Sequence, residues 1–434
     1  MGHVDISEHH HARLQQRLDQ TIPGAPGSPT FMEILKMLFT PEDAELAARL
    51  PTQPTSLTLL SRRLGIPSDR LGDKLTDMAR RGLILDLEHE GQSYFSLAPV
   101  AIGFFEFVFM RTREDVPMAE LARLFEVYFQ EEDLFTRSAY RGKTQLFRSL
   151  VREEALAGET NTEILDWERA TSIITSATDL AVAICQCRHT AQHMGTVCDA
   201  PMENCITLNY AASSLINSGI TRRIKTGEAM AILEASKKAG LAQTCDNVQR
   251  KASFICNCCG CCCHLMKGMK TFNMHSTIIT SNWIMTVDLS LCNGCGDCAP
   301  ACPIEAITIT KEKKDRKEIR RAVRDDAICL GCGLCHSTCK FGALAMKPRE
   351  KRVITPETMF HRTVMMAIER GKLSNLIFDN PEMPGFRALG RILEALEKSP
   401  PSRAMLAIKP LRSVFLNGMV AAARKRTGAL SRLL

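Results

Sequence analysis

One cysteine pattern occurs twice in this chain, as Cys292-Asn-Gly-Cys295-Gly-Asp-Cys298-Ala-Pro-Ala-Cys302-Pro303 and as Cys329-Leu-Gly-Cys332-Gly-Leu-Cys335-His-Ser-Thr-Cys339-Lys340. Both copies have the spacing C-x2-C-x2-C-x3-C, so we interpret them as an internal duplication. A cubane iron–sulfur cluster needs four thiolates around it, and glycine beside the sulfur lets one loop bring three of them together. The pattern therefore predicts two [4Fe-4S] clusters.

The duplicated pattern resembles the bacterial dicluster ferredoxins over residues 283–347. In such runs the fourth cysteine ligates the other cluster. We therefore expect one cluster on Cys292, Cys295, Cys298 and Cys339, and a second on Cys329, Cys332, Cys335 and Cys302. Short strands are expected at residues 283–287, 307–310 and 343–346.

One residue departs from the ferredoxin pattern. Lys340 follows the last cysteine, where these ferredoxins have proline. Proline removes a backbone donor, so its loss changes the hydrogen bonds expected around the cluster on Cys339. Two zinc sites are the alternative, which the spacing disfavours because zinc knuckles lack the third and fourth cysteines.

The composition describes a chain of ordinary globular character that is rich in thiols. Its 434 residues are enough for about two to four domains, and 45% are hydrophobic and 24% charged. The polar first twenty residues do not predict a signal peptide, and the count of 19 cysteines is odd. Reduced, metal-binding thiols are therefore expected instead of disulfides, in the cytoplasm of an organism that lives with little oxygen.

The N-terminal third predicts a flexible tail over residues 1–28 and a compact domain over residues 29–98. The domain reads as four helices and a hairpin, an order that resembles a winged helix. The candidate recognition helix carries nearly balanced charge, so protein docking or dimerisation is favoured over DNA binding. Its charged residues are Arg70, Lys74, Arg80 and Arg81 against Asp69, Asp73 and Asp77.

A helical connector is expected over residues 99–162. Aromatic residues recur over 104–109 and 124–129, which predicts either core or a subunit interface, and hence a candidate homo-oligomer. The polar, basic stretch from Arg137 to Thr162 is typical of a linker or a surface excursion.

A second concentration of cysteines lies within residues 163–280. A buried strand, Leu180–Ile184, precedes Cys185-Gln-Cys187-Arg188-His189, and Cys198 and Cys205 follow. The densest run is Cys256-Asn-Cys258-Cys259-Gly260-Cys261-Cys262-Cys263-His264. Crowded thiols oxidise readily, so metal or redox chemistry is the physical reason to hold them together.

This arrangement resembles iron–sulfur proteins of anaerobes in which C-x-C-R, C-x6-C and C-N-C-C-x-C-C-C segments precede a dicluster domain. The Cys258-Cys259-Gly260 triplet also resembles the CCG segment of heterodisulfide reductases, although their distant C-x2-C partner is missing. We predict one or two further iron–sulfur centres, with zinc as the alternative. The candidate ligands are Cys185, Cys187, Cys198 and Cys205, together with members of the set Cys256, Cys258, Cys259, Cys261, Cys262 and Cys263. Supporting or surface roles are favoured for His189, His193 and His264.

The C-terminal region, residues 351–434, is expected to be helical, with one helix beginning near Thr355 and ending at Gly371. Residues 401–434 hold seven basic residues and no acids. Leu411, Val414, Phe415 and Met419 share a helical face there. Such a segment docks on an anionic membrane or an acidic partner, or packs on its own protein.

The sequence thus predicts an α+β, multidomain protein that carries low-potential electrons between redox partner proteins, in the cytoplasm or at the inner face of the membrane. No catalytic residue is assigned. Two alternatives stay open at this point: the iron–sulfur subunit of a reductase with a catalytic cluster in 256–263, and a redox-sensing regulator that binds DNA.

Overall fold

The computed structural model describes residues 6–156, 165–314, 317–379 and 418. The predicted basic tail, apart from residue 418, lies outside the described residues. Helices and strands mix along the chain, as expected for the α+β class. Two compact units are present, the first formed by Met1–Thr144, Tyr210–Arg222 and Glu357–Leu434 and the second by Gln145–Asn209 and Arg223–Pro356.

The first unit is mostly helical. The sheet among its described residues is antiparallel, with Gln92–Leu97 between Thr55–Ser56 and Ile84–His89. The helices and hairpin over residues 29–97 follow the expected order, and their interpretation as a winged helix stays a prediction. The helices among the described residues of the unit are Ile6–Asp19, Pro29–Leu38, Pro41–Arg49, Leu57–Leu64, Ser68–Arg80, Phe105–Phe109, Met118–Glu126, Val127–Glu131, Asp133–Ala139, Asn209–Asn217, Met359–Arg370 and Leu373–Ile377.

The N-terminal segment differs from the flexible tail that the sequence predicted. Ile6–Asp19 is a helix, and its Leu14 and Leu18 side chains are fully buried. The His11 Nε2 atom lies 2.8 Å from the backbone oxygen of Phe39. Polar residues dominate this helix because only a narrow face is buried, which is why its composition looked like that of a tail.

The aromatic repeats form a core within the first unit. Phe105 is almost fully buried, and its ring centroid lies 4.4 Å from that of Phe125 and 4.5 Å from that of Phe129. Edge-to-face and tilted contacts of this kind add to the free energy gained by burial. Of the two interpretations of these repeats, core packing accounts for their burial.

The second unit is built on a seven-stranded sheet, called here the central sheet. The strands, in spatial order, are Ile278–Ile279, Phe147–Ser149, Ala242–Asp246, Phe254–Cys258, Glu203–Leu208, Leu180–Ile184 and Arg222–Arg223. The first pair is parallel and the next four pairs are antiparallel. Helices of the unit are Glu153–Leu156, Asp166–Glu168, Ala170–Thr175, Gln186–His193, Thr226–Lys238, His264–Thr271 and Leu334–Thr338.

The segment predicted to be a linker contributes a strand to the central sheet. Phe147, Arg148 and Ser149 are all buried, and the Arg148 guanidinium donates to the backbone oxygen of Asp246 at 3.1 Å. A charge satisfied by backbone carbonyls can be buried. The sequence prediction missed the strand because it is three residues long and has a basic residue at its centre.

The cysteine duplication follows the central sheet and has two small sheets of its own. Trp283–Val287 pairs with Leu344–Pro348, and Ile307–Lys314 pairs with Lys317–Arg324, both antiparallel. The strand predicted at 283–287 has those bounds, whereas the strand predicted at 307–310 is longer and belongs to a hairpin. Cys298 and Cys335 lie in the small core between these elements.

A buried carboxylate organises the first unit and gives a test of its packing. Asp43 is fully buried, with its oxygens 2.6 Å from Lys74 Nζ and 2.7 Å from Arg81 Nη2. Breaking a buried ion pair costs roughly 3–5 kcal/mol, and because both cations reach solvent we expect Asp43→Asn to lower the free energy of unfolding by about 2 kcal/mol. Anaerobic urea denaturation, followed by far-UV circular dichroism, measures this change in the free energy of unfolding.

The matched control is Asp77→Asn. Asp77 also pairs with Arg81, at 3.0 Å, but is 59% exposed. Exposed pairs contribute about 0–1 kcal/mol, so this change should be nearly neutral. Equal losses in the two variants would contradict the role given to burial.

Candidate metal centres

The two copies of the cysteine duplication have the same loop conformation. In each copy, the glycines before and after the second cysteine have positive φ: 70° and 96° at Gly294 and Gly296, 67° and 75° at Gly331 and Gly333. A Cβ at Gly331 would also lie 2.1 Å from the backbone oxygen of Trp283. Only glycine is compatible with this path, so the repeat in sequence is a repeat in structure.

The eight cysteines of the duplication fall into two groups, each of which draws on both copies. Cys298 interacts electrostatically with Cys295, Cys292 and Cys339. Burial, followed by the neighbouring thiols, raises the pKa of Cys335, whose largest thiol interactions are with Cys332, Cys329 and Cys302. A buried thiolate needs compensating positive charge, which metal ions supply. This chemistry fits two thiolate-bound clusters.

The residues that follow the fourth cysteines differ between the copies. After Cys302 comes Pro303, and the backbone N–H of Ala306 donates to the Cys302 sulfur at 3.2 Å. After Cys339 comes Lys340, whose Nζ lies 3.4 Å from a carboxylate oxygen of Asp297. The replacement of proline therefore adds an exposed ion pair from the second copy to the first.

Six cysteines of the central sheet and its loops form a second group, the thiol array: Cys185, Cys187, Cys205, Cys256, Cys258 and Cys263. The register of the antiparallel strands, Ile206 with Ile255, places Cys205 opposite Cys256. Alternation along a strand places Cys256 and Cys258 on one face. Thiol hydrogen bonds connect the array in the order 185, 187, 263, 258, 256 and 205.

Two members of the array lie at helix N-termini. Cys185 precedes Gln186–His193, and Cys263 precedes His264–Thr271. Hydrogen bonds from Cys187 and from backbone N–H groups of these helices lower the pKa of both thiols. Helix N-termini favour negative charge, so these positions favour thiolates, the form that binds metal.

Four of the five remaining cysteines of this region form the thiol tetrad: Cys198, Cys259, Cys261 and Cys262. Their four sulfurs all lie within 4.8 Å of one another. The Cys198 and Cys259 sulfurs are 3.8 Å apart, and those of Cys261 and Cys262 are 3.7 Å apart. Within the described part of the chain, this is the one set of three or more His, Cys, Asp or Glu ligand atoms packed so closely.

Arg188 lies between the array and the tetrad and is fully buried. Its Nη1 is 3.6 Å from the Cys259 sulfur, and its Nη2 donates to the backbone oxygen of Asn257 and to Asn204 Oδ1. Burial opposes its charge, but nearby thiol groups, Cys185 first, raise the pKa of Arg188. Sequence reasoning gave this arginine no role. The sequence feature that could have indicated a role for Arg188 is its position directly after the C-x-C motif that follows the buried strand Leu180–Ile184.

The tetrad thiols differ in acidity. A hydrogen bond from the Cys262 thiol lowers the pKa of Cys259 to about 4, with help from the Cys262 backbone N–H and from Arg188. Burial raises the pKa of Cys261 to about 11. Cys259 is thus the member most readily available as a thiolate.

The candidate histidines lie outside the tetrad. His264 Nδ1 is 3.4 Å from Gln186 Nε2, and the rings of His189 and His193 are 4.9 Å apart. Cys245, which is fully buried, belongs to neither the array nor the tetrad.

The tetrad loop packs on the turn that follows Cys302. A Cβ at Gly260 would lie 2.5 Å from the Pro303 oxygen and 2.8 Å from its Cα. Lys270 Nζ is 3.1 Å from both the Gly260 oxygen and a carboxylate oxygen of Glu305. This contact, called here the glycine–proline contact, makes the two cysteine regions neighbours.

Comparison with known proteins identifies one part of the chain. Residues 291–352 match the family model described as a 4Fe-4S dicluster domain. No curated protein and no solved structure is significantly similar to the chain. Among the described residues, no helix is both long and apolar enough to cross a membrane. The chain therefore contains a dicluster ferredoxin domain, and the expectation of [4Fe-4S] clusters there is confirmed.

The glycine–proline contact can be tested by adding a single methyl group. Overpacking of this kind costs about 1–3 kcal/mol, so we expect Gly260→Ala to lower the free energy of unfolding of the second unit by that amount. Both tryptophans of the chain, Trp167 and Trp283, belong to this unit, so anaerobic denaturation followed by fluorescence reports on it.

Gly227→Ala is the matched control. Gly227 lies in the first turn of Thr226–Lys238, and a Cβ there would meet nothing within 4 Å. Alanine should be neutral or stabilising by up to about 1 kcal/mol, since it reduces the entropy lost on folding. Unchanged stability in the Gly260 variant would show that the backbones are not in tight contact.

Proposed function

We propose that this protein transfers low-potential electrons between redox partner proteins. The dicluster domain at residues 291–352, with its two equivalent loops, carries the proposal. When bound, [4Fe-4S] clusters accept and donate single electrons. The chain holds them by thiolates, partly excludes water from Cys298 and Cys335, and donates a backbone N–H to Cys302.

The proposed ligand sets are crossed between the two copies. Cys339 completes the cluster of Cys292, Cys295 and Cys298, and Cys302 completes that of Cys329, Cys332 and Cys335. The thiol interactions of Cys298 and Cys335 support these sets.

The thiol array is the proposed site of one further iron–sulfur centre. Its six thiols exceed the four that a cubane needs, and two of them are favoured as thiolates. The glycine–proline contact supports a short path from this region to the Cys302 loop. Arg188, whose largest thiol interaction is with Cys185 of the array, would raise the reduction potential of a centre bound there, because a buried cation stabilises the more negative, reduced state.

The charges of the first unit support protein docking over DNA binding. Lys74 and Arg81, two of the four basic residues on the candidate recognition helix, are paired with the buried Asp43. Cations committed to a buried carboxylate are less available to neutralise phosphates.

Metal analysis and EPR of the anaerobically purified protein test this function. About eight irons with equal sulfide correspond to the dicluster domain, and about twelve to a further cubane in the array. On reduction, EPR should show reduced-cluster signals, and the protein should then reduce a one-electron acceptor. A protein that carries clusters but exchanges no electrons with donors or acceptors would refute the proposal.

Crossed ligation predicts which variants resemble each other. Cys302→Ser should give the EPR changes of Cys332→Ser, because both remove a ligand from the same cluster. Cys339→Ser should instead resemble Cys295→Ser. The opposite pairing of spectra would show that each copy binds its own cluster.

For the basic tail we propose docking on an anionic membrane surface. Basic residues near such a surface gain about 1 kcal/mol each, and less at high salt. Deleting residues 401–434 should therefore weaken binding to anionic vesicles at least tenfold and leave the cluster EPR unchanged, with neutral vesicles as the control. Equal binding of the full chain and the truncated chain to anionic vesicles would rule out membrane docking through the tail.

A further inference from the structure

The sulfur positions of the thiol tetrad match one tetrahedral metal ion. Four thiolates at about 2.3 Å from one ion, in a tetrahedron, lie about 3.8 Å from each other. In the structure, the sulfurs of Cys198 and Cys259 lie 3.8 Å apart, and those of Cys261 and Cys262 lie 3.7 Å apart. All four sulfurs stay within 4.8 Å of one another.

The cysteines of the dicluster domain supply an internal comparison. Each thiolate of a cubane binds a different iron, so the four sulfurs stand farther apart than they do around one ion. In keeping with this, the eight dicluster cysteines form no set as compact as the tetrad within the described residues. The four sulfurs of the tetrad are thus closer together than any comparable set of dicluster sulfurs in the described part of the chain.

The surroundings of the tetrad suit an anionic tetrathiolate site. Four thiolates around a divalent ion carry a net charge of −2, and the buried Arg188 lies 3.6 Å from one of the sulfurs. Backbone N–H groups of Cys262 and Cys198 donate to Cys259 and Cys262 sulfurs respectively. Hydrogen bonds of this kind orient metal ligands and spread their charge.

We propose that the thiol tetrad binds one soft divalent cation, zinc or ferrous iron, that is separate from every iron–sulfur cluster. Four protein thiolates close the coordination shell, which is the arrangement of structural sites. The ion links Cys198 to the loop of Cys259–Cys262 and so fixes that loop against Pro303. This inference stands apart from electron transfer, and it leaves the array alone as the place for a further cluster.

Removal of single ligands tests the proposal. Cys261 is exposed and Cys198 half-buried, so serine replaces either with little disturbance of the core. Cys261→Ser and Cys198→Ser should each lose about one metal ion per chain, with inorganic sulfide unchanged. Cys245→Ser is the control and should keep the full metal content, since Cys245 lies outside both thiol groups. Tryptophan fluorescence checks that each variant is folded.

The metal that disappears identifies the ion. Loss of zinc, or loss of one iron without loss of sulfide, supports the proposal and shows which of the two ions the tetrad binds. Loss of several irons with matching sulfide would overturn it and assign a cluster to the tetrad. No loss of metal in either variant would overturn it as well.

A measurement on the unaltered chain tests the proposal even if the cysteine variants do not fold. The protein is prepared in medium supplemented with cobalt, which gives characteristic visible bands in a tetrahedral thiolate site. X-ray absorption at the cobalt edge should show four sulfurs at about 2.3 Å and no neighbouring metal. A metal neighbour at short distance, or oxygen and nitrogen ligands, would refute a mononuclear tetrathiolate.

Discussion

The antiparallel pairing of Glu203–Leu208 with Phe254–Cys258 is the constraint on which the cysteine-rich region depends. It aligns Cys205 with Cys256 and delivers the Cys259–Cys263 loop at the end of the second strand. A shift of one residue would move every side chain to the opposite face of the sheet and disperse the thiols. Backbone hydrogen bonds between the two strands therefore set which cysteines lie opposite each other.

Glycine provides the second constraint, because it lets backbones approach where a side chain would intervene. Gly331 lies against Trp283 and Gly260 lies against Pro303, both within the second unit. At Gly260 the neighbouring atoms all belong to the Pro303 backbone, and at Gly331 the nearest atom belongs to the Trp283 backbone; backbone cannot move aside as a flexible side chain can. The approach of Gly260 to Pro303 thereby places the loop that carries Cys259 and Cys261 next to the turn that follows Cys302.

Buried charges hold the parts of each unit together. Within the second unit, Arg152 donates its backbone N–H to the Cys332 oxygen at 3.0 Å, and its guanidinium to Ser337 Oγ at 2.9 Å and to the Lys237 oxygen at 2.7 Å. One arginine thus links the dicluster loops to the central-sheet region. Within the first unit, Asp43 links two helices, its own, Pro41–Arg49, and Ser68–Arg80, which carries Lys74 and is followed directly by Arg81. Such groups specify one arrangement, since any other leaves a charge unpaired.

The sequence by itself determined the features whose cause is local. Cysteine spacing predicted the dicluster domain, and an apolar run predicted the strand Leu180–Ile184 at the bounds observed. It also predicted that the cysteines of the second region bind metal, which stays a prediction. Spacing and periodicity act over a few residues, so they can be read without knowing the fold.

Only the tertiary structure decided how those cysteines divide. Cys198 joins the tetrad and Cys205 the array, although they are close in sequence, because one lies in a loop and the other on a strand. The strand at Phe147–Ser149 and the helix at Ile6–Asp19 were likewise hidden by their polar residues. Their stability comes from partners distant in the chain, and long-range pairing leaves little trace in local composition.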